Sequence, residues 1–313
     1  MSHPEPSQSD LLRELEPVVA KEVDRHLGAA REWMPHEYIP WGQGRDFDGP
    51  LGGEAWDVSQ SRVGETARTA LVVNLLTEDN LPSYHREIHE SFGRDGAWGT
   101  WIGRWTAEEG RHGMAIRDYL LTTRAVDPVA LERERMVHMT QGYQSSFDLD
   151  MLHTVAYVSF QELATRISHR NTGKFTEDPF CEQLLARISV DENLHMVFYR
   201  NLLGAALELA PNASVQAVWD VVSGFEMPGS TIDGFTRRSL KIALAGIYDL
   251  RIHHDEVLSP VLKFWRLFDL EGLSGPAEQA RDNLAAFLTE LDDKAAKFET
   301  KRAERRARSA ART

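Results

Sequence analysis

Only one cysteine, Cys181, occurs in the 313 residues, so no internal disulfide can form and a reducing cytoplasm is the simplest expected home. Long apolar runs are missing as well. With no stretch of about 18 apolar residues, no helix is expected to span a bilayer, and the hydrophobic share of 42% is that of an ordinary globular chain. The segment Met1 to Asp10 is polar and lacks the charged and apolar regions of a secretory signal. Positive charge is in deficit: 35 Lys and Arg stand against 48 Asp and Glu, a net −13. That excludes general binding to nucleic acid, which needs cations to displace counterions from phosphate. The exception is residues 297–313, with seven Lys or Arg and two Glu, expected to be a frayed, solvated helix end or else a contact for an acidic partner.

Strand signals are weak and nothing resembles a linker, so residues 1–313 are expected to form a single all-α domain. Apolar periodicity places helices at about 64–92, 98–124, 128–143, 150–170 and 179–209, with four more between about 213 and 300. Asp127-Pro128, Asp178-Pro179 and Ser259-Pro260 each offer a capping side chain followed by proline at a first helical position. Pro82, inside the first helix, is expected to kink it or cost it a hydrogen bond. Residues 34–62, rich in Gly, Pro and Trp without a clear period, are expected to form an irregular cover over the bundle.

Two Glu-x-x-His pairs, Glu109 to His112 and Glu192 to His195, lie in these helical stretches. Residues three apart on a helix point the same way, so one helix can present a carboxylate and an imidazole to one metal. Glu78 precedes Glu109 by 31 positions and Glu162 precedes Glu192 by 30. A Glu helix followed by a Glu-x-x-His helix, twice over, is the ligand pattern of a carboxylate-bridged di-iron centre in a four-helix bundle. Four carboxylates match the charge of two ferrous ions, and with two neutral imidazoles the cluster can be buried without an unpaired charge. Glu108 projects about 100° away from Glu109 around the helix and is expected to be solvated or salt-bridged. His85, His89, His138, His153, His253 and His254 lack paired carboxylates and are expected to be surface or core histidines. His169, two turns from Glu162, has no assigned part, and Cys181 reads as a small buried residue.

Several segments share a family pattern in one order: Thr77-Glu78-Asp79-Asn80-Leu81-Pro82, Trp105-Thr106-Ala107-Glu108-Glu109 with Arg111-His112-Gly113, Ser159-Phe160-Gln161-Glu162 with Ala164-Thr165, Ile167-Ser168-His169, and Asp191-Glu192 with His195. They resemble the soluble fatty acyl-carrier-protein desaturases, of the plastid stearoyl-carrier type and its bacterial relatives. The resemblance covers about residues 33–200 closely and the remainder more loosely. It implies a ferritin-like bundle with additional helices, and the same six ligands: Glu78, Glu109, His112, Glu162, Glu192 and His195. It also implies that Asp191 orients an imidazole, that Thr165 lies beside the oxygen-binding position, and that Trp33 lies on an electron route.

The implied reaction uses O2 and two electrons to place a cis double bond in a saturated acyl chain. The implied partners are an acyl-carrier protein, a ferredoxin-type donor and a second copy in a homodimer. Ile88, Val155 and Tyr157 are expected in the wall of an apolar channel. The run His85-Arg86-Glu87-Ile88-His89 is more polar than the matching plastid wall, which leaves chain length, bond position and a coenzyme A donor open. Lys174, Arg166, Arg170, Arg237, Arg238 or the basic tail would meet an acidic carrier. The ligand set alone also suits ribonucleotide reductase radical subunits, N-oxygenases, ferroxidases or a scaffold with a vestigial site; the Thr-Glu-Asp-Asn-Leu-Pro and Ser-Phe-Gln-Glu segments favour the desaturase.

Overall fold

The computed structural model describes residues 5–143, 150–229 and 231–310. Four long helices form the centre: α2 (Glu65–Asp79), α4 (Gly96–Thr122), α6 (Met151–Thr176) and α7 (Pro179–Leu209). Around them lie α1 (Gln8–Ala29), α3 (Leu81–Phe92), α5 (Pro128–Gln141), α8 (Pro211–Ser223), α9 (Phe235–Ala245), α10 (Leu250–Ile252), α11 (Ser259–Phe264) and α12 (Gly275–Ala310). Among the described residues extended pairing is limited to one bridge, Phe47 with Glu54. This is the ferritin-like all-helical architecture.

The expected start signals act at two of three places. Asp127 accepts from the amides of Val129 and Ala130, and Asp178 from those of Phe180 and Cys181, satisfying donors that a helix N-terminus leaves unpaired. Ser259 caps nothing, because Leu250–Phe264 runs on through a π-helical stretch, His253–Leu258. The wider turn falls just before Pro260, whose ring would collide with the carbonyl four residues back in a regular α-turn. The helix expected over 64–92 is two helices. It breaks at Asn80, whose ψ of 9° leaves the helical range, and Pro82 sits at the start of α3, where its missing N–H is tolerated.

Residues 34–62 form a cover of three short 3-10 turns fastened by Arg124. That guanidinium is 2% exposed, donates to the carbonyls of Arg45, Asp46, Glu54 and Ala55 and to the Gln60 side chain, and lies 4.0 Å from the Phe47 ring centre. Five acceptors and a ring account for the burial of a charge that is otherwise costly. The basic segment expected to fray is helical through Ala310: Arg302 bonds Asp249 and the Ala243 carbonyl, and Arg306 bonds the carbonyls of Leu244 and Ala245. These cations sit on the C-terminal carbonyls of α9, where the helix dipole favours them.

The apolar core has two main parts, and their order along the chain positions the site. On α4, Trp98, Trp101 and Trp105 belong to one cluster and Ala115, Ile116 and Leu120 to the other. On α7 the order is reversed, with Leu184 and Ile188 in the second cluster and Phe198 and Leu202 in the first. Residues 109–112 and 192–195 therefore fall between two apolar plugs.

Candidate metal centre

All six predicted ligands converge. Their ligand atoms form two overlapping groups, Glu78, Glu109, His112 and Glu192 in one and Glu109, Glu162, Glu192 and His195 in the other, with the atoms of each group within 4.8 Å of one another. Glu109 and Glu192 belong to both. Two sites joined by two shared carboxylates is the arrangement the spacing implied, and every member is buried.

The outward-facing atoms of these residues are tied down and the inward-facing ones are bare. Trp105 Nε1 donates to Glu162 Oε1 at 2.9 Å, and His169 Nε2 lies 2.8 Å from Glu78 Oε1. The Asn74 amide lies 3.2 Å from His169 Nδ1, so the imidazole carries its proton on Nε2 and donates it to Glu78. Among the described residues, Glu109 Oε1, His112 Nδ1, Glu162 Oε2, both oxygens of Glu192 and His195 Nδ1 are buried without a hydrogen-bond partner. His195 Nδ1 is nonetheless 2.8 Å from Glu109 Oε1, and His112 Nδ1 is 3.2 Å from Glu192 Oε1. A ring nitrogen and a carboxylate oxygen this close in a buried interior need a proton or a metal cation between them. The donor set of carboxylates and imidazoles suits iron.

Electrostatics agree. Burial pushes the Glu78 and Glu192 carboxyls well above their ordinary range, and Glu109 beside them adds to it. Burial opposes charge on His112, but Glu109, Asp191 and Glu78 outweigh it and raise its pKa to about 9. Glu78 and Glu192 thus favour their protonated forms and His112 its charged form, and metal binding would displace those protons.

Each imidazole is held from outside by the acid that precedes a ligand on the opposite helix. Asp191 Oδ2 accepts from His112 Nε2 at 3.4 Å, from Trp33 Nε1 at 2.7 Å and from Arg111 at 2.8 Å, while Oδ1 takes Arg187. Burial acts to raise the Asp191 pKa, but the bond from His112 and the other donors bring it down to about 2. Glu108 Oε2 lies 2.9 Å from both His195 Nε2 and His26 Nε2, and Oε1 takes Arg104. Burial raises its pKa, but the bonds from His195 and His26 outweigh it and leave the carboxyl far below its usual range. Glu108 is salt-bridged but not solvated. The 100° turn that moves it off the Glu109 direction aims it at α7, because a bundle helix has neighbours on more than one side. The fold also recruits His26 and His169, neither of which carries a local spacing signal, although His169 shares the α6 face of Glu162 two turns on.

Thr165 is near the group without belonging to it. Its hydroxyl donates to the Gln161 carbonyl at 3.0 Å, accepts from the Gln161 amide at 2.9 Å, and borders a cavity. Two cavities meet the site. One, of about 50 Å³, is lined by Glu78, Glu109, Trp105, Tyr84, Ile88 and Tyr157; the other, of about 90 Å³, by Glu78, Thr165, His169, Met227, Phe235 and Tyr248. Ile88 and Tyr157, expected in a channel wall, line the first cavity. Val155 is fully buried in the core, and Val158, one turn on, takes its place in the wall.

A profile of the fatty acid desaturases matches residues 7–313. The Mycobacterium tuberculosis protein DesA1, named among the acyl-(acyl-carrier-protein) desaturases, is 51% identical over 296 residues, covering 92% of this chain and 87% of its own. The chloroplastic stearoyl-(acyl-carrier-protein) 9-desaturase 6 of Arabidopsis thaliana is 31% identical over 72% of this chain and 62% of its own. The crystal structure of DesA2 from Mycobacterium tuberculosis superposes with a TM-score of 0.71 at 31% identity, covering 87% of this chain and 98% of that one.

Proposed function

This chain belongs to the fatty acid desaturase family, and from that membership we propose that it is an acyl-carrier-protein desaturase, placing a cis double bond in a saturated fatty acyl chain. The observation that carries the proposal is the set of bare, buried ligand atoms bordered by two cavities. Glu78, Glu109, His112 and Glu192 would hold one iron ion and Glu109, Glu162, Glu192 and His195 the other. When bound, the two ions supply the oxidising power, drawn from O2 and two electrons, that no side chain offers against an unactivated C–H bond.

The chain's own residues position and exclude. Leu81, Ile88 and Val158 give the acyl chain an apolar seat beside Glu109, and the core clusters on either side keep water from the ligands. Thr165 presents its hydroxyl to the second cavity, where it can rotate to donate toward the site. Asp191 fixes the His112 tautomer and joins it to Trp33, the expected route for electrons from a ferredoxin-type donor. An acidic acyl-carrier protein needs free cations. Arg170 and Arg238 are paired with Glu256 and Glu134, whereas Lys174 and Arg237 are exposed with no ion pair among the described residues. We place the protein in the cytoplasm as a homodimer; no described helix is long and apolar enough to cross a membrane.

The test gives iron-reconstituted protein a saturated acyl-carrier substrate, reduced ferredoxin and O2, and locates any double bond by mass spectrometry. A monounsaturated product, absent with Glu162→Ala, is the expected result. No product from carrier or coenzyme A substrates, with an intact di-iron spectrum, would assign the site to oxygenation of another substrate.

A further inference from the structure

The two cavities beside the ligands share Thr77 and Glu78 in their walls yet are separate. Between them stand the Gln161–Thr165 turn of α6 and one short non-helical stretch after α8, residues 225–229. Pro228 faces the first cavity and its neighbour Met227 faces the second. Two tyrosines that line the first cavity hold this stretch by its carbonyls: the Tyr157 hydroxyl donates to Glu226 O at 3.0 Å, and the Tyr84 hydroxyl to Pro228 O at a longer 3.4 Å. From the other side, Phe235 of the second cavity crowds Gly229, so closely that an added Cβ would come within 2.3 Å of its ring. Phe225 packs between Tyr157 and His253, with ring centres at 5.5 and 5.0 Å.

Cavities of about 50 and 90 Å³ each take a handful of waters. Moving the stretch that bears Met227 and Pro228 would join the two past Glu78 into one longer groove.

We propose that Phe225–Gly229 is a strap latched by Tyr84 and Tyr157, and that these two tyrosines select the acyl chain by setting how readily the two cavities merge. This rests on the cavities being the seat of an acyl chain. A long chain binds only the merged form, so its apparent affinity is scaled down by the fraction of molecules in which the strap is lifted. A short chain that fits one cavity is indifferent to the strap. Tyr157 is the stronger latch because its bond is the shorter.

The test uses the full iron-loaded chain without O2, so that no turnover occurs. Binding of hexanoate and stearate is measured for Tyr84→Phe, Tyr157→Phe and the double variant, with hydrogen–deuterium exchange across residues 225–229. Loss of two neutral hydrogen bonds should raise stearate affinity about tenfold in the double variant, more from Tyr157→Phe than from Tyr84→Phe, with hexanoate unchanged and strap exchange faster. Equal changes for both acids, or unchanged exchange in the strap, would overturn the proposal. Should the double variant fail to fold, Gly229→Ala, which forces Phe235 off the strap, must give the same stearate-selective gain; a gain or loss indifferent to length counts against it. If the unsubstituted chain desaturates no acyl-carrier substrate, the functional reading falls, while the length-selective binding still decides the strap.

Discussion

The two imidazoles of the metal site are braced by the same device in different surroundings. Asp191, behind His112, is held by an indole and two guanidiniums, groups that only donate, and Trp33 ties this brace to the start of the irregular cover. Glu108, behind His195, is held by Arg104 and by a second imidazole, His26, from a helix outside the central four. His26 stacks against His195 with ring centres 5.7 Å apart and edge-on to Trp101, deep in the larger core cluster. The Asp191 brace thus reaches Arg111 and Arg187, 20% and 11% exposed, while the Glu108 brace reaches both Arg104, 40% exposed, and the buried His26 of α1. A repeated Glu-x-x-His motif thus sits in unequal surroundings, tied through Trp33 to the segment before the cover on the Asp191 side and through His26 to α1 on the Glu108 side.

The largest test asks whether the halves are separable at all. Glu192→Ala removes a ligand that both groups share, so metal analysis should find both ions weakened by more than about 100-fold, beyond what an outer partner costs. Glu162→Ala should leave the Glu78, Glu109, His112 and Glu192 group able to hold one ion; equal loss in the two variants would dissolve the distinction. Next come the braces. Asp191→Asn and Glu108→Gln should each cost roughly 10–100-fold in metal affinity, but only Asp191→Asn should also slow reduction of the loaded centre by an external donor, followed by stopped-flow absorbance.

Acid sensitivity supplies a baseline away from both braces. Burial, and then the neighbouring His254, lower the His253 pKa to about 4 from an unfolded value of 6.5. Between those values the unfolded chain binds more protons, so the stability from neutral His253 is full above pH 6.5 and is lost as pH falls toward 4. By pH 5 the loss is about 2 kcal/mol, and urea melts of His253→Phe should show a flatter profile over that window. The smallest effect is the comparison of outermost partners. His26→Ala and Trp33→Phe each remove one hydrogen bond to a buried carboxylate and should cost about 1.5–3 kcal/mol at most, less where water enters. Trp33→Phe keeps a ring under Arg111, 4.5 Å from the indole centre in the parent, and should cost the less of the two by urea denaturation.

The ligands were legible because a helix converts spacing into direction: Glu109 with His112, and Glu192 with His195, need only the 3.6-residue turn to be placed. The Asp191 brace was expected from the family resemblance, but the Glu108 brace was not, because whether Glu108 meets water or His195 depends on which helix stands beside α4, a relation between residues 87 positions apart. The same limit hid His26 and left Val155 in place of Val158 in the channel wall. Proline signals were readable where the chain ends a helix, at Asp127-Pro128 and Asp178-Pro179. They failed at Ser259-Pro260, where packing carried the helix through with a π turn. The break at Asn80 needed the tertiary fold to convert an expected kink into two helices.

The crossing of the braces also orders events in time. Since the acid on each Glu-x-x-His helix steadies the imidazole of the other, neither helix alone can present an oriented histidine. A nascent chain with α4 formed and α7 still unmade offers a cation Glu78, Glu109 and a His112 imidazole that Asp191 does not yet orient. A bound metal would then report that α4 and α7 have docked, through the same four side chains, Asp191, His112, Glu108 and His195.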